Sequence, residues 1–340
     1  MTRRDDAPAP LPGSDRFGPA SEVWDTDAWR WEVTRWFDDV LPRRGITRHP
    51  TTPRQPRVRP WSTQLVIETD QGRGWFKANV PESSPETLVY ERLSRVAPDL
   101  LSPVWVSDAE REWFVCPDQG RTLRQVANAD TITSLWSAVL RRYARLQRAS
   151  VGVVDALVDG GVPRWGSRAL VSAWVARGRP EERVADEALR SAADRLEALG
   201  LPPTIEHGDL HAGNVFTCAA TSSAMQEAKI FDWGDAYVGH PFGSLLIALR
   251  NPEYHFGLAA DPERDQRLVR AYLSGWADVR PVAELERVVP DAMLLARVAR
   301  ILSWDRALTR ATDPERGQWQ PHADGWAQEI VRIASPRSAE

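Results

Sequence analysis

Two short acidic stretches of this chain carry residue types at spacings that could do chemistry. Residues 205–215 read Ile-Glu-His-Gly-Asp-Leu-His-Ala-Gly-Asn-Val, and residues 230–235 read Ile-Phe-Asp-Trp-Gly-Asp. In the first, Asp209 stands five positions before Asn214; in the second, Asp232 opens an Asp-Trp-Gly turn. A positioned carboxylate can take a proton from a hydroxyl. An amide oxygen and a second carboxylate are hard oxygen ligands of the kind Mg²⁺ prefers, and because Mg²⁺ keeps several waters it needs no all-protein cage. Gly208, Gly213 and Gly234 allow the chain to bend between these groups.

The run from His207-Gly208-Asp209 to Asn214 is spaced as in a kinase catalytic loop, where the Asp meets the acceptor hydroxyl and the Asn holds Mg²⁺. Taken with Phe231-Asp232-Trp233-Gly234-Asp235, it resembles the aminoglycoside phosphotransferase and choline kinase-like family, which shares the protein-kinase fold. The resemblance runs from about Trp29 to Trp326, although only the two acidic loops and one lysine strand are specific. It implies an α+β, protein-kinase-like two-lobe fold, with a small antiparallel-sheet N-lobe and a larger, mostly helical C-lobe. It further implies a kinase that moves the γ-phosphoryl group of ATP or GTP to a hydroxyl of a small metabolite or antibiotic. In that reading Asp209 is the catalytic base, His207 orients the loop near the Asp232 turn, and Asn214 and Asp232 hold Mg²⁺.

The lysine strand stands out by scarcity. Of 43 basic residues only Lys77 and Lys229 are lysine, so arginine serves almost wherever a cation is needed for solubility. Lys77 lies in Gly-Trp-Phe-Lys-Ala-Asn-Val, a strand-like run after the turn Asp70-Gln71-Gly72. A compact ammonium there reaches phosphate oxygens that a planar guanidinium would meet differently. The family places its ATP-phosphate lysine on such a strand and holds it with a helix glutamate. Ser84-Pro85 is an N-cap and first-turn pair for a helix carrying Glu86, Val89, Leu93 and Val96, so Glu86 is the first choice of partner and Glu91 the fallback. No Gly-rich loop covers the phosphates; Pro60-Trp61-Ser62-Thr63 occupies its place, and Ser62 and Thr63 are the candidate substitutes. Val115, Cys116 and Pro117 are expected to offer backbone hydrogen bonds to the purine. Many relatives carry a further Asp after the Mg²⁺ aspartate, whereas Gly239-His240-Pro241-Phe242-Gly243-Ser244 lacks it, so support for the loop must come from elsewhere.

Each signal has a plainer reading. An isolated His-x-Asp can be a turn with a packed histidine, and His207, Asp209 and His211 alternate in a way that could serve a zinc-dependent hydrolase. Against zinc, the glycines favour a loop over a straight strand, and no further His-rich cluster completes a site. A nucleotide-binding pseudokinase or sensor would keep the same residues without an acceptor. His211 carries no assigned chemistry, Trp233 reads as core, and Asp235 either caps the next segment or faces the acceptor. Of the sixteen tryptophans, Trp29, Trp36 and Trp136 sit on apolar helical faces, while Trp304, Trp319 and Trp326 are candidates for stacking on an acceptor.

The elements that must position these residues follow from periodicity. Trp29, Val33, Trp36, Phe37, Val40 and Leu41 predict an amphipathic helix closed by Pro42 and Gly45. Short strands are expected over 55–59, 63–69, 74–80, 104–107 and 113–116, with the Glu86 helix among them. Beyond Pro117-Asp118-Gln119-Gly120 the pattern turns helical, as in Ile132, Leu135, Trp136, Val139, Leu140 and Tyr143, with Arg141, Arg142 and Arg145 on the wet side. A later helix holds Leu294, Val298, Ile301 and Leu302. Strands at 215–217 and 228–231 flank an exposed turn at 221–223. These expectations divide the chain into a disordered tail (1–20), an N-lobe carrying the phosphate clamp (21–117) and a C-lobe with the catalytic loop, metal site and acceptor pocket (118–340). The 340 residues include 42% hydrophobic residues and a formal net charge of −4, without a long basic run or an apolar run fit to span a bilayer. A small-molecule hydroxyl acceptor is therefore expected as the partner, not nucleic acid or a membrane. The Pro- and Asp-rich start and the two isolated cysteines, Cys116 and Cys218, read as a cytoplasmic protein with reduced thiols.

Overall fold

The computed structural model describes residues 18–335. The tail expected over 1–20 lies, as far as residue 17, outside the described residues, and the first described element is helix α1 (Ala20–Trp24). Then come α2 (Asp27–Val40), β1 (Arg54–Val58), β2 (Ser62–Thr69), β3 (Gly72–Asn79), α3 (Glu86–Val96), β4 (Val106–Asp108) and β5 (Trp113–Pro117). The next stretch runs α4 (Leu123–Val126), α5 (Ile132–Ser150), α6 (Val154–Asp159), β6 (Arg164–Trp165), α7 (Ser167–Ala176), α8 (Asp186–Leu199) and β7 (Thr204–Glu206). It ends with β8 (Val215–Phe216), β9 (Lys229–Ile230), β10 (Tyr237–Gly239), α9 (Leu245–Phe256), α10 (Pro262–Leu273), α11 (Val282–Ala307) and α12 (Asp313–Ala334). Among the described residues no helix is long and apolar enough to cross a membrane.

The chain divides into two compact units. The first gathers the described residues up to Ser83 together with 103–118 and 305–320; the second holds 84–102, 119–304 and 321 onward. Helix α3, carrying Glu86, thus groups with the helical second unit.

The first unit is built on an antiparallel sheet of strand order β1-β2-β3-β5-β4. Thr26 caps α2 by accepting the Trp29 N–H, and a turn at Pro42–Arg44 followed by left-handed Gly45 (φ 70°) ends the helical segment, as the sequence predicts. The apolar stripe of α2 lies on the sheet: Phe37 meets Phe76 edge-on at 5.2 Å, and Trp29 meets Trp113 at 6.3 Å. Phe76 pairs with Val115 and Ala78 with Trp113 across the ladder, and all four join this core. Because side chains alternate along a strand, Lys77 on β3 and its cross-strand neighbours Phe114 and Cys116 on β5 take the face away from α2.

In the second unit α5 is a long central helix with Trp136 and Tyr143 fully buried. Trp136 donates its indole N–H to the Ala248 carbonyl of α9 at 2.8 Å, satisfying a polar atom that burial would otherwise orphan. One expectation fails here. Arg142 is not on the wet side but 4% exposed, because its guanidinium donates to the Met225 and Ala228 carbonyls (2.6 and 2.7 Å) and to the Asp99 carbonyl (2.9 Å). A five-donor fork suits irregular backbone whose carbonyls have no ladder partner. The first two carbonyls belong to the segment that leads into β9, so Arg142 holds the ribbon on which the second acidic loop depends. Arg142→Met should therefore lower unfolding free energy by roughly 2–4 kcal/mol, read as a drop in the urea midpoint, because buried carbonyls lose their donors. An unchanged midpoint would mean that the 225–228 segment finds other donors.

Candidate active site

The first acidic loop starts from a fixed point. Strand β7 ends at Glu206, which is fully buried; its Oε2 accepts from the Ser244 N–H (2.6 Å) and Oγ (2.8 Å), and its Oε1 is bonded to Thr204 Oγ1 (3.1 Å) and the Gln147 amide. The next residue, His207, donates its backbone N–H to Tyr143 Oη (2.9 Å) and Ser244 Oγ (3.1 Å). Burial pushes the Glu206 carboxyl up to about 8, against the opposing effect of these hydrogen bonds. This buried acid on β7, paired with Ser244 at the head of α9, supplies the loop support that the 239–244 segment lacks in its own sequence.

Gly208 follows in the left-handed region (φ +77°), and a Cβ there would sit 2.4 Å from the Asp235 carbonyl oxygen. The two acidic loops therefore touch backbone to backbone, and only glycine fits the contact. Gly213 and Gly234 are not left-handed; the second loop turns instead on Asp232 itself, at φ 67°. A non-glycine residue held there stores strain that its surroundings must enforce.

His207 is buried and bridges the loops. Its Nε2 donates to the Phe231 carbonyl (2.9 Å) and its Nδ1 accepts the Asp209 N–H (3.3 Å), a pattern that fits a neutral ring. Burial lowers its pKa in the same sense. Trp233 is fully buried against it, ring centroids 4.6 Å apart, in keeping with a core role.

Asn214 and Asp232 are brought to one end of a two-stranded ribbon. β8 and β9 pair Val215 with Ile230 and Phe216 with Lys229, and the ladder is extended by the Phe231 N–H donating to the Asn214 carbonyl at 3.1 Å. Asp232 is the next residue out. The Asn214 Nδ2 donates to the Asp209 carbonyl (3.0 Å), which leaves the amide oxygen as that side chain's acceptor. An amide oxygen and a carboxylate at the ribbon's end are a donor set that fits Mg²⁺. The same register stacks Phe216 on Phe231 at 3.9 Å and 13°.

Asp209 is one-third open, with 32% of its side chain exposed, and faces two cationic or hydrogen-bonding partners. Arg300 of α11 places Nη2 3.6 Å from Oδ1, and His211 places Nε2 3.5 Å from Oδ2. Burial alone would raise the Asp209 pKa, but the Arg300 charge and the His211 hydrogen bond outweigh it and hold the carboxyl well below the usual range. His211, to which sequence gave no chemistry, also accepts the Gly213 N–H on Nδ1 at 3.0 Å and lies 4.7 Å from the His255 ring, a group that burial pushes down to about 4. Asp235 is paired with Arg300, whose Nη1 lies 3.1 Å from its Oδ2 and 3.1 Å from the Gly208 carbonyl. Burial works against the Arg300 charge, and Asp235 with Asp209 more than offsets it.

Glu86, the expected lysine partner, is fully buried and accepts the Trp233 N–H at 2.9 Å, while the Ser84 N–H donates to the Gly234 carbonyl at 3.0 Å. The start of α3 is thereby tied to the Asp-Trp-Gly turn. Ser84 is not the cap that the sequence suggests: Pro85 takes that position without a side-chain bond, and the Ser84 Oγ is buried without a partner. Glu91 is exposed and paired with Arg95 at 2.6 Å, a surface carboxylate.

In the first unit Lys77 is 8% exposed, on the sheet face shared with Phe114 and Cys116. Two neighbours depart from expectation. Ser62 is 1% exposed and its Oγ is buried, so that hydroxyl has no open face from which to meet a phosphate. Val115 lies in the core and its carbonyl accepts the Trp105 N–H at 2.7 Å, so its backbone serves the sheet; Cys116 and Pro117 follow where β4 pairing ends. The zinc alternative loses its geometry, since His207 is bonded to the Phe231 carbonyl and His211 to Asp209, and among the described residues no group of three His, Cys, Asp or Glu side chains is arranged to hold a metal.

The family model described as phosphotransferase enzyme family matches residues 73–282, well over half of the chain. The chain belongs to that family. Members are enzymes of phosphoryl transfer, and the fold agrees with this one's. The structure is similar to a choline/ethanolamine kinase family protein from Mesorhizobium loti (15% identity, TM-score 0.57, covering 85% of this chain and 90% of that one). It is similar to a macrolide 2′-phosphotransferase from Brachybacterium faecium (15%, 0.53, 89% and 98%) and to an amicoumacin kinase in complex with AMP-PNP, Ca²⁺ and Ami (14%, 0.55, 90% and 97%). At these identities the likeness establishes the protein-kinase-like α+β fold that the sequence implied. No curated protein sequence matches the chain significantly.

Arg300 and Glu206 were not selected from sequence as site residues, and His211 was weighed only as a zinc ligand. A signal existed for the first: Arg297 and Arg300 interrupt an otherwise apolar helical run three residues apart, and a charge in such a run must find an anion.

Two outcomes follow for the phosphotransferase. The Glu206 carboxyl, raised in the folded state, holds a proton that the unfolded chain gives up above the ordinary carboxylate range. Its contribution to stability is thus complete below roughly pH 4.5 and is lost as pH rises through about 8. Glu206→Gln should flatten the decline of melting temperature between those limits; parallel wild-type and variant curves would refute the shift. Gly208→Ala should cost at least about 1–2 kcal/mol from the left-handed backbone alone, more from the Asp235 contact, visible as a lower denaturation midpoint.

Proposed function

We propose that this chain is a small-molecule kinase that transfers the γ-phosphoryl group of ATP or GTP to an alcohol hydroxyl. The single observation that carries the reading is the convergence of Asp209, Asn214 and Asp232 through the β8–β9 ribbon and the Asn214–Asp209 hydrogen bond. Family membership supports phosphoryl transfer, and the AMP-PNP and Ca²⁺ of the amicoumacin kinase structure support a nucleoside triphosphate donor with a divalent cation. The choline/ethanolamine kinase family protein and the macrolide phosphotransferase support a small-molecule acceptor.

Asp209 is the group that aligns the acceptor hydroxyl and takes its proton. Its low pKa suits that task in a loose transition state, where the hydroxyl proton leaves late and position counts for more than basicity. Asn214 and Asp232 would hold Mg²⁺, which when bound neutralises charge on the phosphate oxygens. Lys77 is assigned to the donor phosphates with Glu86 as its carboxylate, and the backbone of Cys116 and Pro117 to the purine. His207 acts through the two loops it bonds and is a positioning residue. Neither Cys116 nor Cys218 is in a disulfide, which suits a cytoplasmic enzyme.

Asp209→Asn should lower turnover by roughly 10² to 10⁴ while nucleotide still binds. Asp232→Ala should weaken Mg²⁺-dependent nucleotide binding, followed by fluorescent-nucleotide titration with and without Mg²⁺. Unchanged turnover in the first variant, or unchanged metal-dependent binding in the second, rejects these roles. Nucleotide binding with no transfer to any acceptor would favour a sensor.

A further inference from the structure

Arg300 is a buried cation beside Asp209 and Asp235, and beyond its effect on the Asp209 charge it carries N–H donors of its own. Its guanidinium stands 3.1 Å from Asp235 and 3.6 Å from Asp209, and it is itself 9% exposed. Its Nε is buried without a partner, so the side chain is held for its terminal nitrogens. One helical turn earlier on α11, Arg297 likewise binds an acid: its Nε lies 3.0 Å from Glu329, a carboxylate already bonded to Arg250 at 2.5 and 3.1 Å. Two tryptophans of the C-terminal part have one ring face occupied. Arg250 lies over the Trp326 ring at 4.6 Å, and Trp304 stacks on His322 at 5.1 Å and 13°.

An acceptor bearing an ammonium group needs a carboxylate beyond the one that handles its hydroxyl, or an open aromatic face. Asp235 is the neighbouring acid, and Arg300 neutralises it. An acceptor bearing only oxygens meets the opposite situation. Arg300 Nη2 is in ion-pair range of Asp209 but beyond hydrogen-bond distance, so an oxygen beside the reacting hydroxyl can receive its N–H.

We propose that Arg300 makes this kinase selective for hydroxyl compounds that place oxygen beside the reacting hydroxyl, namely sugars, polyols and hydroxy acids, against amino alcohols and aminoglycosides. The proposal rests on the kinase reading above. Asp209 keeps its role in both classes of acceptor, and Arg300 acts as a specificity-determining residue through Asp235 and through its own N–H donors.

The test is Mg²⁺-dependent transfer from radiolabelled ATP to a panel holding choline, ethanolamine and kanamycin beside glycerol, myo-inositol, glucose, glycerate and gluconate. Transfer to a neutral or anionic member should exceed that to every cationic member by about tenfold or more in kcat/KM. Arg300→Gln should narrow that ratio by about tenfold, and Arg300→Lys should keep it. Should Arg300→Gln fail to fold, Asp235→Asn tests the same point from the other side, because it removes one of the guanidinium's two acids and should widen the ratio. A merely structural Arg300 would lower both classes together and leave the ratio unmoved, which overturns the proposal. So does preferred transfer to an ammonium-bearing acceptor, or transfer to no member while Mg-ATP still binds. Loss of Mg-ATP binding in the wild-type protein overturns the kinase reading itself.

Discussion

The hydrogen-bonded burial of Glu206 is the constraint from which the site hangs. A carboxyl with no exposure survives only with its polar atoms satisfied, and here Ser244, Thr204 and Gln147 all converge on it. Gln147 in turn receives the Tyr272 hydroxyl at 2.5 Å, and Ser244 is bonded to Tyr143 at 2.7 Å, so three separate helices, α5, α9 and α10, are joined to the end of β7. His207 leaves that junction with its backbone N–H already shared between Tyr143 and Ser244. The direction in which the loop departs is thereby set before any residue of the acidic motif is reached. A fully connected buried network of this kind fixes geometry more than it adds stability.

From that origin the loops are assembled by contacts that leave little freedom. The ring of His207 spans to Phe231, the backbone of Gly208 abuts Asp235, and the β8–β9 register sets Asn214 beside the residue before Asp232. The arrangement crowds Asp209, Asp232 and Asp235 into touching loops, and like charges at such range repel. Arg300 answers two of the three, Asp209 and Asp235, from α11. Asp232 lies one residue beyond the ribbon that ends at Phe231, on the left-handed turn that opens the second loop.

Much of the fold could be read directly because its signals are local. The α2 stripe, the five strands and the long α5 helix each follow from a period of 3.6 or 2 within a dozen or so residues, and the structure has all of them close to the expected bounds. The two acidic loops were equally legible, since their chemistry lies in consecutive residues. Less legible was whatever depends on distant partners. Arg142 looked like one of three solvated arginines until carbonyls from the β9 segments were placed around it. Glu206 stood next to the motif and passed as its flank, because burial is not written in a single residue. Ser84 had the composition of a cap and lacked the geometry, the backbone N–H of that residue being drawn to Gly234 instead. Ser62 and Val115 were chosen by position along strands, but strand position alone does not say which atoms the sheet itself consumes.

Four arginines occupy places that a lysine could not fill. Arg142, Arg264, Arg297 and Arg300 are each less than a tenth exposed, and each has carbonyls or carboxylates on more than one nitrogen or on more than one element. A lysine offers one nitrogen at the end of a flexible stem and could not bridge Gly208, Asp209 and Asp235 at once. The same comparison explains why substituting arginine at position 77 would not be conservative. Lys77 stands between Gln64 of β2 and Phe114 of β5 in the ladder, and a guanidinium there would replace a compact point charge by a planar fork of donors. Arginines, with several donors, hold loops and acids in fixed relation, and the lysine of β3 brings a single point charge to a buried strand.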